Sequence, residues 1–152
     1  MNGEQEDTQT FLRNLEEQNG GPLEWKTYAF FVGESGDENP RSLGGLIYVV
    51  AGKLVFEDFE RENSLIRLIG RKKKYEKFKI ETPLSHVREV RAVAASDARR
   101  TVRGKAEAGD LPALSGFRKV LEKRMEAVIF DDGKAWFFEM YDYNGLRALL
   151  KQ

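Results

Sequence analysis

Near the C-terminus, Glu126-Ala-Val-Ile-Phe130 and Lys134-Ala-Trp-Phe-Phe-Glu-Met-Tyr141 flank Asp131-Asp132-Gly133. Two β-forming runs around an Asp-Gly pair predict a hairpin with a type I′ turn, whose twist matches that of the strands. The same grammar recurs upstream. Leu46-Ile-Tyr-Val-Val50 and Leu54 to Glu60 surround Gly52-Lys53 and predict a second hairpin. Trp25 to Val32 reads as a strand, followed by loop chemistry from Gly33 to Pro40. Lys77 to Thr82 alternates Phe78 and Ile80 with charged residues, Pro83 makes a bend, and Val87 to Val93 alternates again, imperfectly.

Helical spacing is found in three places. Phe11, Leu12 and Leu15 share one face of a helix over Asp7 to Asn19, stopped by Gly20-Gly21-Pro22. Leu114, Phe117, Val120 and Leu121 predict a helix from Asp110 to Arg124, with Pro112 in its first turn. Asp142 caps a final short helix that turns Tyr143, Leu146, Leu149 and Leu150 inward. Residues 94–110 are small and polar and read as a loop. The expected fold is mainly β: a partly open barrel, or two stacked sheets, of about seven antiparallel strands closed by a C-terminal helix. An acidic N-terminal appendage over 1–22, which carries the first helix, precedes a domain over 23–152, into which 94–125 inserts a loop and a helix.

Composition excludes several kinds of chemistry. The 152 residues contain no cysteine, which removes disulfides, thiolate nucleophiles and cysteine zinc sites. The single histidine, His86, follows a proline bend and reads as a polar loop residue. Glu57 and Asp58 are strand neighbours pointing to opposite faces, so they cannot act as a carboxylate pair. Asp131 and Asp132 are explained by their turn, and Gly33-Glu-Ser-Gly36 is neither a nucleophile elbow nor a phosphate loop. The sequence therefore implies no catalytic residue, no metal and no cofactor. No apolar run approaches the roughly 20 residues that cross a bilayer, and none at the N-terminus reads as a secretory signal. The expected setting is cytoplasmic.

Two stretches resemble the pleckstrin-homology superfamily, in particular its GRAM-like and bacterial members. One is Gly45-Leu-Ile-Tyr-Val-Val-Ala-Gly-Lys-Leu-Val-Phe-Glu57, continued by Lys79-Ile80 and by Val87-Arg-Glu-Val90. The other is Val128-Ile-Phe-Asp-Asp-Gly-Lys-Ala-Trp-Phe-Phe138 with the helix from Asp142 to Leu150. The resemblance covers roughly residues 23–152 and rests on a pattern of apolar positions. It implies a binding or adaptor module. Lipid-binding members carry lysines and arginines between the first two strands, whereas this chain has Glu34, Asp37 and Glu38 there against Arg41. Several phosphates on one headgroup would be repelled by that loop.

Charge is the remaining clue. Lysine plus arginine balance aspartate plus glutamate at 25 each, yet the first 40 residues hold nine acids against Arg13 and Lys26. The basic excess lies mainly between 61 and 124, where Arg71, Lys72, Lys73, Lys74, Lys77 and Lys79 form the densest tract. Tyr75 and Phe78 interleave it, a mixture suited to tracking phosphates. Arg99, Arg100, Arg103, Lys119 and Lys123 are secondary candidates, the last two on the basic side of the amphipathic helix expected from Leu114 to Met125. The competing reading makes the tract a lysine-rich loop that keeps a sheet edge soluble. Leu65-Ile66 and Leu68-Ile69 read either as a buried strand or as an apolar tip for shallow bilayer insertion.

The expected partner is an anionic lipid headgroup or an acidic protein surface. Self-association without lipid is the alternative, and nucleic acid on the same tract ranks third. Phe137 and Phe138 point opposite ways, so one of them is a candidate for a homodimer contact. The acidic N-terminal segment is expected to lie over the basic face.

Overall fold

A computed structural model describes residues 2–58 and 78–151, the side chains of 2–8 excepted. The elements are α1 (Asn2–Asn19), β1 (Leu23–Glu34), β2 (Leu43–Val50), β3 (Lys53–Asp58), β4 (Lys79–Pro83) and β5 (Val87–Ala94). After these come α2 (Ala95–Val102), the single turn α3 (Arg118–Leu121), β6 (Arg124–Phe130), β7 (Ala135–Met140) and α4 (Tyr143–Leu150). The seven strands form one antiparallel sheet in the order β4-β3-β2-β1-β7-β6-β5. The stacked-sheet alternative is thereby set aside.

The sheet rolls on itself. Leu54 and Phe56 of β3 share a core with Val87 and Val90 of β5, although those strands stand five places apart in the order. Phe31, Phe56, Phe138 and Phe78 fill its middle with ring centroids 5.2–6.3 Å apart. The edge strands β4 and β5 are joined by a 3-10 turn, Leu84–His86, and do not pair. Leu146 of α4 is fully buried in the core. Asp142 holds that helix in place, since Oδ1 accepts from Gly145 N at 3.2 Å and Oδ2 from Trp25 Nε1 at 3.2 Å.

Unlike a sheet with one wet face, this one is covered outside as well. β2 is buried continuously from Gly45 to Val50, which explains its unbroken apolar run. Its outward Leu46, Tyr48 and Val50, with Val55 of β3, lie under Leu15 and Leu12 of α1. Over β5, β6 and β7 the cover is α2, which sets Ala95, Ala98 and Val102 against Val32, Ile129 and Phe137. Phe137 and Phe138 are both fully buried, one on each side of the sheet, so neither is available for a homodimer contact.

The structure corrects the sequence reading in three places. Residues 95–102, expected as loop, are the helix α2. Its apolar stripe is made of alanines and one valine, small side chains that let the backbone lie close to the sheet. The expected helix over 110–124 shrinks to α3. Leu114 N donates to Ala92 O at 2.8 Å and keeps its segment beside β5, Gly116 turns the chain at φ 59°, and Arg124 already belongs to β6. The apolar stripe divides accordingly: Leu114 is buried, whereas Phe117, Val120 and Leu121 stand in solvent.

The third correction concerns turns. A type I′ turn needs positive φ at both central residues. That occurs at Ala51 and Gly52 (49° and 74°), between β2 and β3. In the Asp131-Asp132-Gly133 hairpin only Gly133 is positive, at 87°, and its N–H donates to Phe130 O at 3.0 Å. This is the arrangement of a type I turn followed by a left-handed residue.

Candidate functional site

The principal tract lies almost wholly beyond the described residues, which include neither Arg71, Lys72, Lys73, Lys74 and Lys77 nor Leu65-Ile66 and Leu68-Ile69. Its two ends are defined. Asp58 N donates to Phe78 O at 3.0 Å, and Phe78 N donates to Asp58 Oδ1 at 3.2 Å. The chain thus leaves β3 and returns toward β4 through one pair of mutually bonded residues. Phe78 then stacks on Phe31 at 5.2 Å, and the Arg41 guanidinium covers its ring at 5.3 Å. Lys79 follows, exposed on the edge strand opposite Glu57.

The loop between β1 and β2 is acidic and firmly tied down. Gly36 N donates to Thr101 O at 3.1 Å and Glu38 N to Val102 O at 2.9 Å, which docks the loop on the end of α2. Ser35 N donates to Ala135 O at 2.9 Å, tying the loop to β7 as well. Asp37 holds Arg41 at 2.9 Å, so the loop's one arginine is already engaged.

Beside this loop a cleft of about 510 Å³ opens between β4 and the β6–β7 turn. Glu34, Glu81, Asp131 and Asp132 line it with His86 and Lys134. Four carboxylates against one lysine make a poor seat for a phosphate. Among the described residues, no group of three or more His, Asp or Glu is placed to hold a metal ion.

The secondary candidates separate into two kinds. Arg99, Arg100 and Arg103 are exposed with Ser96 at i, i+3, i+4 and i+7 spacing, so they form one solvent stripe along α2. No ion pair among the described residues engages these three arginines. Lys119 is exposed on α3, whereas Lys123 reaches Glu139 on β7 at 2.9 Å. The expected basic amphipathic helix from Leu114 to Met125 is absent, so Lys119 and Lys123 do not share a helical face.

Two exposed apolar features escaped the sequence reading. Phe117, Val120 and Leu121 are 85%, 84% and 77% exposed on one tight turn. Helical spacing groups them with the buried Leu114 on one face, and nothing in that spacing says that Gly116 turns the later residues away from the sheet. On the outer face of β1 and just beyond β7, Tyr28, Phe30 and Tyr141 are also exposed. Their signal was the period-two alternation in Lys26-Thr-Tyr-Ala-Phe-Phe31, with Tyr28 and Phe30 on one face and Ala29 and Phe31 on the other.

A buried charge cluster completes the inventory. Glu126 is only 1% exposed and accepts from Arg124 Nε at 2.5 Å and from Arg147 Nη2 at 3.4 Å. The Arg124 guanidinium also lies 3.6 Å from the centre of the Tyr143 ring. These contacts fasten α4 to β6.

No helix among the described residues is long and apolar enough to cross a membrane. Compared with protein-family models, with curated proteins and with solved structures, the chain matches none of them.

Proposed function

We propose that this chain is a non-catalytic binding or adaptor module of the pleckstrin-homology, GRAM-like kind, working at the cytoplasmic face of a membrane. On this reading Arg71 to Lys74, with Lys77 and Lys79, contacts anionic headgroups. The observation that carries it is the mutual hydrogen bonding of Asp58 and Phe78, which fixes Phe78 on the sheet rim next to Lys79, the exposed basic residue with which the tract ends. Two antiparallel meanders, β1 to β4 and β5 to β7, joined through the β1–β7 pair and packed on the buried Leu146 of α4, support the family part of the reading. The acidic β1–β2 loop and the carboxylate-lined cleft are poor seats for an anion, which supports assigning anion contact to the basic tract instead. Each lysine or arginine near an anionic surface contributes about 1 kcal/mol before screening.

The test is sedimentation of the full chain with vesicles of phosphatidylcholine alone and of phosphatidylcholine mixed with phosphatidylserine. Binding to the anionic vesicles that falls with salt and drops in the variant R71Q/K72Q/K73Q/K74Q supports the reading. Equal, poor sedimentation with both vesicles overturns the lipid function.

The alternative, a protein-interaction or self-association module, draws on the exposed strip of Tyr28, Phe30 and Tyr141. A stable dimer without lipid affinity favours it. Oligonucleotide binding with a steep salt dependence instead of lipid binding favours the third reading.

A further inference from the structure

We infer that the turn bearing Phe117, Val120 and Leu121 and the arginine stripe of α2 together form a second membrane-contact surface, in which the turn inserts among anionic lipids and the stripe binds their phosphates. The membrane as partner is taken from the reading above, but the residues are different ones and are tested separately.

The two features are joined by side chains. Arg118 Nη2 reaches Asp97 at 2.7 Å, Arg118 Nε reaches Glu122 at 2.9 Å, and Ser96 Oγ donates to Glu122 Oε1 at 2.9 Å. Ala95 N adds a backbone bond to Lys123 O at 2.8 Å. Arg118 and Glu122 are thereby drawn toward the start of α2, and the apolar side chains of the turn are left outward. Ser96 also begins the exposed stripe that continues through Arg99, Arg100 and Arg103, so the cations start where the apolar turn is fastened. At 1.5 Å rise per residue, that stripe runs about 10 Å along the helix.

Charge and shape both favour a lipid surface as the occupant. Three arginines and Lys119 offer donors that no carboxylate among the described residues engages. Three large apolar side chains, each more than three-quarters exposed, project from a single turn. A bilayer interface accepts an apolar projection at its acyl boundary while lysine and arginine remain at the headgroups.

Three variants of the full chain separate the outcomes on the same two kinds of vesicle. F117S/V120S/L121S changes exposed side chains only, and R99Q/R100Q/R103Q neutralises the stripe. The expected result is weaker binding to phosphatidylserine-containing vesicles in both, roughly a hundredfold for the triple glutamine variant. The serine variant is expected to bind more weakly even in high salt, where the arginine contribution is screened. Wild-type binding by both, with loss only in R71Q/K72Q/K73Q/K74Q, overturns this inference and leaves the proposed function intact. Loss in the first two with full binding by the tract variant supports the inference and removes the tract from the function. A wild-type dimer that the serine variant dissociates, with lipid binding unchanged, overturns the inference in favour of a second copy of the chain.

Discussion

Arg118 and Asp97, drawn from α3 and α2, meet at 2.7 Å and determine which side of residues 117–121 faces outward. Substituting Arg118→Ala is expected to speed hydrogen exchange at Val120, Leu121 and Glu122, while exchange in β6 and β7 stays unchanged. Unchanged protection across the turn would show that the ion pair does not orient it.

The same fastening depends on pH. The Ser96 hydroxyl, and after it Arg118, hold the Glu122 carboxyl below its ordinary value. A carboxyl lowered in the folded state stabilises at pH values above its unfolded pKa and loses that contribution as pH falls through the folded one. Exchange protection at residues 120–122 should therefore be flat through neutral pH and decline below about pH 4. In E122Q this particular dependence should vanish.

Tyr48 donates its hydroxyl to Glu57 Oε2 at 3.1 Å inside the layer beneath α1. Burial first, and then the negative charge of Glu57, push the phenol above its ordinary value. Its contribution is complete below the unfolded tyrosine pKa and is lost as pH rises beyond about 10. Tyr48→Phe removes a donor to a buried carboxylate and should cost about 1.5–3 kcal/mol at neutral pH, measured by urea unfolding. The variant should also lose stability less steeply above pH 10.

Glu126 lies between Arg124 and Arg147 with almost no exposure. Glu126→Ala leaves two guanidinium groups facing each other without their shared anion and should destabilise by about 3–5 kcal/mol. Glu126→Gln keeps the shape and loses only the charge, so it should cost less. Equal thermal stability of wild type and Glu126→Ala would contradict this account.

Among the described side chains of α1, Leu15 alone is buried in the outer layer of β2 and β3. Replacing it with alanine should cost about 2–3 kcal/mol, since a buried leucine loses its transfer energy and leaves a gap. α1 lies over β2 and β3 and α2 over β5 to β7, so α1 does not cover the α2 arginines. The relation of α1 to residues 71–77 falls outside the described residues.

Much of this architecture was legible because local rules govern it. Apolar runs bounded by Gly, Pro and Asp mark β1, β2, β3, β6 and β7, and Asp142 marks the start of α4. The elements read wrongly were the ones whose partners lie far away in the chain. α2 reads as loop because alanine contributes little to an apolar stripe, and its inward face becomes apparent only against Val32, Ile129 and Phe137. Leu114 to Leu121 carries helical spacing, yet Leu114 bonds to Ala92, and the strand edge there competes successfully with the helix.

By itself the sequence determined the β-rich class, the hairpins, the acidic loop and the uneven charge, all of which depend on residue type and near-neighbour spacing. Tertiary structure decided the order of the sheet, the covering of both its faces and the outward turn of Phe117, Val120 and Leu121. It also brought Arg99, Arg100 and Arg103 into line beside that turn. Periodicity states which residues share a face of an element, but which face is covered depends on where other elements pack.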